Sequence, residues 1–125
     1  MIDQLDAELL RAHVLKVSRE EVIAHPERRL GVRAQKKLNQ LTSKRARGVP
    51  IAYLTGHKEF FGLDFFVNRQ VLIPRPETEL LVELVINQLQ TTNYKLPTTL
   101  IDIGAGAGCI PIAIIKTITP KNTKV

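Results

Sequence analysis

The sequence predicts an α/β chain: an N-terminal helical bundle, a β-hairpin linker, and then the first strand–loop–helix unit of a doubly wound sheet. Three observations predict it. Apolar residues recur at helical spacing through the first 56 residues. All four phenylalanines fall between residues 60 and 66, in a strand–turn–strand pattern. A glycine-rich stretch from Gly104 to Gly108 then separates two short apolar runs.

Each element has its own signal. Residues 3 to 17 read as a helix, with Asp3 as N-cap and Leu5, Leu9, Ala12 and Leu15 as the stripe. Ser18-Arg19-Glu20-Glu21 has capping-box form and opens a short helix that Pro26 closes. A third helix spans 32 to 47, its apolar side made by Ala34, Leu38 and Leu41, with Arg33, Lys37, Lys44 and Arg47 on another side. Gly48 and Pro50 end it. Ile51, Ala52 and Leu54 add one more helical turn. Short helices like these are marginal alone and need one another's apolar faces.

From His57 the pattern changes. Lys58 to Phe61, a turn at Gly62, and Asp64 to Val67 make a hairpin. Asn68-Arg69-Gln70 is a second turn, and Val71 to Ile73 a short extended run. The phenylalanines are expected to pack between hairpin and bundle. Pro76 suits the first turn of a helix, and Glu77 and Glu79 suit its positive end. That helix is expected to continue through Leu80, Leu81, Leu84, Val85 and Leu89, with a loop from 91 to 98.

Composition narrows the function classes. Of 125 residues, 44% are hydrophobic and 24% charged, a globular and not a disordered profile. No apolar stretch approaches the roughly 20 residues of a membrane helix, and the first residues lack the form of a signal peptide, so a cytoplasmic protein is expected. The single cysteine, Cys109, excludes an internal disulfide and a thiolate metal cluster, and no metal site is expected. The net charge of +6 is uneven: residues 1 to 50 hold 11 basic and 6 acidic residues, with the excess mostly between Arg28 and Arg47. That excess could steer an acidic macromolecule. It also reads as the solvated face of one helix, and no aromatic residue interleaves with it to stack on bases.

The chemistry-bearing stretch runs from Leu100 to Gly108. A strand from 100 to 103 leads into glycines at 104, 106 and 108, and Ile110-Pro111-Ile112-Ala113-Ile114-Ile115 reads as a buried helix. The third glycine of a dinucleotide fingerprint would fall at Cys109, and no Gly-Lys-Ser/Thr follows, so neither a pyrophosphate fingerprint nor a P-loop fits. Alternate glycines let the backbone turn sharply and let a ligand approach it. Asp102 can accept hydrogen bonds from loop amides or from a cationic ligand group. This D-x-G-x-G-x-G pattern is the one expected for S-adenosylmethionine. A tight strand-to-helix turn with no ligand is the other reading.

Four blocks occur in order: Tyr53-Leu54-Thr55-Gly56, Glu59-Phe60-Phe61-Gly62-Leu63, Val71-Leu72-Ile73-Pro74-Arg75-Pro76-Glu77-Thr78-Glu79, and Asp102 to Gly108. With Asp6 to Leu10 and the Ser18–Glu21 and His25–Glu27 stretches, they resemble the release-factor glutamine methyltransferase family (HemK/PrmC). The resemblance implies a helical substrate-recognition domain over 1–56, a hairpin linker over 57–73, and a Rossmann-like methyltransferase domain from 74 to 125. It implies S-adenosyl-L-methionine as cofactor, held by Gly104, Ala105, Gly106, Ala107 and Gly108. It implies methylation of the glutamine side-chain amide in the Gly-Gly-Gln motif of a class 1 release factor, by a monomer that contacts neither membrane nor nucleic acid.

The family's ribose-binding acidic residue and its Asn-Pro-Pro-Tyr motif have no counterpart in these 125 residues. The third domain is therefore expected to be truncated and the chain alone inactive, with no catalytic residue in it. His13, His25 and His57 are read as structural or exposed, Glu77 and Glu79 as helix-start residues. Cys109 is read as a packing residue that could gain some thiolate character from a helix N-terminus. Without partner strands, residues 98 to 125 are expected to be poorly ordered and Ile112, Ile114 and Ile115 to lack most of their contacts. Two other readings stay open: a non-catalytic module that binds a release factor or another ribosome-associated partner, and a nucleic-acid N-methyltransferase.

Overall fold

The computed structural model describes residues 2–91 and 99–118. The chain divides into two compact units, one up to Gly56 and one from His57 onward.

The first unit is built of four helices: α1 (Gln4–Leu15), α2 (Arg19–Ala24), α3 (Val32–Ala46) and α4 (Ile51–Thr55). Both expected caps form. The Asp6 amide donates to Asp3 Oδ1 at 2.7 Å, and the Glu21 amide to Ser18 Oγ at 3.2 Å. Only half of the capping box closes, because the Glu21 carboxylate turns instead to Arg28 at 2.5 Å. α1, α3 and α4 pack on one another, with Leu10, Ala12, Leu41 and Ala52 buried. Leu5 does not join them and is exposed; the buried positions on α1 are Asp6, Leu10 and Ala12. Asp6 can be buried because its carboxylate meets Arg45 near the end of α3. Arg11 reaches the connection after α2, its Nη2 donating to the carbonyls of Pro26 and Arg28 at 3.0 and 2.5 Å. Gly48, at φ 88°, turns the chain out of α3 as expected.

The second unit begins with the hairpin. β1 (His57–Phe60) and β2 (Leu63–Phe66) pair antiparallel, with His57 opposite Phe66 and Phe60 opposite Leu63. Both strands start one residue before the expected positions, because the tight turn is Phe61-Gly62. Both turn residues have positive φ, 53° and 70°, as a two-residue turn matched to strand twist requires. Phe61 is a poor residue for that region, and two carboxylates hold it there. The Gly62 amide donates to Glu59 Oε1 at 2.6 Å and the Phe61 amide to Glu79 Oε1 at 3.0 Å. The second turn forms around Asn68, whose Oδ1 accepts from the Gln70 amide at 2.8 Å. Val71 to Ile73 pair with no strand among the described residues.

A 3₁₀ turn over Pro76–Thr78 leads into α5 (Glu79–Thr91), and α6 (Cys109–Ile118) packs against α5. Two expectations fail in this unit, the packing of the phenylalanines against the bundle and the strand over residues 100 to 103. Phe60 and Phe65 do not wait for the bundle: they lie in a core with Val82, Ile86, Cys109, Ala113 and Ile114. The buried face of α5 is Val82 and Ile86, flanked by Val85 and Leu89, while Leu80, Leu81 and Leu84 are exposed. Periodicity could not choose between these faces, because α5 is apolar on both. Last, residues 100 to 103 form no strand. A strand is defined by a neighbour's hydrogen bonds, and the described residues supply no neighbour; Ile101 and Ile103 remain 78% and 94% exposed. Ile112 and Ile115 are partly exposed as expected, but Ile114 is buried because the α5 face receives it. Residues 92–97 of the expected loop, and residues 98 and 119–125 of the segment expected to be poorly ordered, lie outside the described residues.

Candidate functional site

The glycine loop opens α6 as the alternate spacing predicts. Gly104, Gly106 and Gly108 all have positive φ, at 81°, 57° and 72°. The Gly108 amide donates to the Ala105 carbonyl at 2.8 Å, which closes the loop, and the Gly108 carbonyl accepts from Ile112 at 3.2 Å, which starts the helix. Gly108 is favoured by its φ of 72°, and a Cβ there would lie 3.3 Å from Ile112 Cδ1, which would have to give way slightly. Around Gly104 a Cβ would meet nothing within 4 Å. That side of the loop is open to a ligand.

Gly104, Ala105, Gly106 and Ala107 line a cavity of about 160 Å³. Gly108 does not line it. Phe60, Leu72 and Ile110 add apolar surface, and Arg75 and Thr78 add a cation and a hydroxyl from the 3₁₀ turn ahead of α5. The wall opposite comes from residues about 30 positions earlier in the chain, beyond the reach of local spacing. Arg75 and Thr78 fall in the Val71–Glu79 block that carries the family resemblance, but nothing local in that block places them against the loop. The cavity is smaller than the roughly 300–1,000 Å³ of sites that enclose a small ligand. These residues can therefore form the floor and one wall for a nucleoside-sized ligand.

Asp102 stands two residues before Gly104. Its Oδ2 is buried and has no hydrogen-bond partner among the described residues, which leaves a carboxylate oxygen in want of a donor. The thiol of Cys109 is pushed up from its ordinary range, first by burial and further by the neighbouring Asp102 carboxylate. This corrects the expectation of thiolate character from the helix N-terminus; the packing role stands, since Cys109 belongs to the core.

The remaining candidates are placed elsewhere. His57 Nδ1 lies 2.8 Å from Asp64 Oδ2 on the hairpin, and His25 lies 3.4 Å from Glu27. Glu79 holds the hairpin turn and Glu77 is exposed. Among the described residues, no cluster of three or more His, Cys, Asp or Glu side chains could hold a metal ion, and no helix is long and apolar enough to cross a membrane.

Comparison with known proteins adds a family to this geometry. Residues 2–56 match the family described as PrmC N-terminal domain. The chain is 46% identical over 111 residues to a release factor glutamine methyltransferase of Coxiella burnetii, covering 89% of this chain and 39% of that protein. It is 44% identical over 113 residues to the one of Burkholderia pseudomallei, covering 90% and 39%. With that of Clostridium botulinum it shares 38% identity over 122 residues, covering 98% and 41%. The chain thus spans about two fifths of the length of these relatives, and it matches their N-terminal part.

Proposed function

On the premise that the chain belongs to the release factor glutamine methyltransferase family, as its N-terminal portion, we propose that it supplies the substrate-recognition domain and the cofactor floor of such an enzyme. The reaction is methylation of the glutamine side-chain amide in the Gly-Gly-Gln motif of a class 1 peptide-chain release factor. S-adenosyl-L-methionine would supply the methyl group on a sulfonium.

One observation carries the reading: a loop of three positive-φ glycines opens α6 and faces Arg75 and Thr78 across a cavity. The chemistry of these groups suits this donor. The bare backbone of Gly104 and Gly106 admits a flat nucleoside, and Phe60, Leu72 and Ile110 offer apolar surface to it. Arg75 matches the donor's carboxylate, and the unpartnered Asp102 Oδ2 matches its ammonium or the loop amides once these are drawn in. In this reading Gly108 acts through the turn, not by contact. An amide nitrogen is a weak nucleophile, so rate comes mostly from holding nitrogen and methyl in line at about 3 Å. No residue described here has that role, which is assigned to the part of the family's length that this chain does not span.

The test has two parts. Incubation of a release factor with S-adenosylmethionine and a protein that carries this chain at the relatives' full length should add one methyl group to the Gly-Gly-Gln glutamine, read by peptide mass spectrometry. Titration of the donor into the same protein should shift the amide resonances of Gly104 to Gly108. Methyl transfer to a nucleic-acid base in place of the glutamine, or unmoved loop amides at saturating donor, would overturn the reading.

A further inference from the structure

We propose that the outer face of α3 is a docking surface for an acidic protein surface that carries an apolar side chain. The first observation is charge segregation. No Asp or Glu lies between Glu27 and Glu59, while Arg28 to Arg47 contribute eight cations. The second is that most of the unit's acids are already engaged, and only two of them with these cations. Asp6 holds Arg45, Glu8 holds Arg19 at 2.8 Å, Glu21 holds Arg28 at 2.5 Å, and Glu27 faces His25, while Asp3 caps α1. Arg29, Arg33, Lys36, Lys37, Lys44 and Arg47 are left with no ion pair among the described residues. A merely solvated helix face is more often laced with charges of both signs.

The third observation is shape. An open groove of about 930 Å³ runs along this face, from Leu30 and Val32 at one end, past Lys36 and Asn39, to Lys44 and Arg47 at the other. Val32 to Arg47 covers about 22 Å of helix at 1.5 Å per residue. Val32 is 88% exposed, the most exposed large apolar residue of the first unit. That apolar end decides the class of partner. A phosphodiester backbone would use the cations but leave Leu30 and Val32 without a counterpart, and no aromatic residue is present between Arg28 and Arg47 to stack a base. An acidic protein surface with one apolar side chain answers both ends of the groove. Where that partner is taken to be the release factor, the inference rests on the function proposed above.

The test is a binding titration of the chain and of the variant Lys36→Glu/Lys44→Glu/Arg47→Glu, whose folding is checked by circular dichroism. The probes are a class 1 release factor, a short glutamate-rich helical peptide with one leucine, and poly-uridylate RNA. A charge-matched control is Lys16→Glu/Arg69→Glu/Lys116→Glu. The expected result is binding of the peptide and the release factor that weakens at least tenfold in the groove variant and with rising salt, and less than about threefold in the control. Peptide binding with no release-factor binding would uphold the docking surface and count against the functional reading. Equal loss in both variants, no loss in either, failure of both protein probes, or groove-dependent binding of RNA alone would each overturn the inference.

Discussion

Among the described residues the helical unit leaves three large apolar side chains exposed, Leu5, Ile23 and Val32, and the second unit leaves eleven. Leu10, Val22, Leu41 and Ala52 are buried within short helices whose ends are capped by Asp3 and Ser18. In the second unit Phe60, Val82 and Ile114 are buried just as deeply, yet Leu80, Leu84, Ile101, Ile103 and Ile115 are not. The difference follows from how each architecture closes. A helix makes its hydrogen bonds internally and needs only a neighbour for one stripe. A strand in a parallel sheet needs neighbours on both edges and cover on both faces. Residues at a helix–helix contact are satisfied locally, whereas the apolar stretch of residues 100–103, with no paired neighbour among the described residues, stays outward.

Substitutions can sharpen this contrast, beginning with the cores. Phe60→Ala should destabilise the second unit by about 3–5 kcal/mol and Leu10→Ala the first by about 2–5 kcal/mol, read by denaturant unfolding. Leu84→Lys, at an equally large apolar residue that is exposed, should change stability by no more than about 0.5 kcal/mol in the same unfolding measurement. A large loss on Leu84→Lys would mean that this face is covered after all.

The glycine loop comes next. Gly108→Ala forces an L-residue to φ 72° and presses on Ile112, so a loss of about 1–2 kcal/mol is expected. Gly104→Ala carries similar backbone strain without the contact, so it should be the milder of the two in stability and, on the proposed function, the more damaging to donor binding. A cap in the first unit is worth about 1 kcal/mol, the loss expected for Ser18→Ala.

The smallest effects are in pH dependence, and their signs differ between the units. Hydrogen bonds from Gln4 and then Arg19 hold Glu8 below the ordinary carboxylate range. Its contribution is present above the unfolded carboxyl value, about 4.3, and is lost as pH falls through the lower folded value. Cys109 behaves oppositely. Its raised folded value means that stability holds below the unfolded thiol value, about 8.5, and declines as pH rises through the folded one. Cys109→Ala should flatten the alkaline limb of stability against pH, and alkylation of the native thiol should be slow until the protein unfolds.

Much of this was legible in the residues. Asp3 and Ser18 announce their caps because a short polar side chain before an apolar helix has few other uses. A hairpin around Gly62, though not the place of Phe61 in its turn, and a sharp glycine turn ahead of α6 follow from spacing. Arg75 and Thr78 as a wall of the cavity were not legible, because they meet the loop only after a turn and a helix have folded back. Nor was the choice of the buried face of α5, where Val82 and Ile86 outcompete Leu80 and Leu84 although both pairs have helical spacing.

The sequence by itself determined the local events: where helices start and stop, where the backbone must take positive φ, and that the cations of α3 have no acid near them in the chain. These depend on neighbours a few residues away, and short-range sterics and hydrogen bonding decide them. Only the tertiary structure decided which apolar face is covered, that Asp6 is drawn to Arg45, Glu8 to Arg19 and Glu21 to Arg28, and that Asp102 Oδ2 is buried without a hydrogen-bond partner among the described residues. Burial and pairing depend on groups far apart in the chain, and periodicity carries no record of which distant surface arrives.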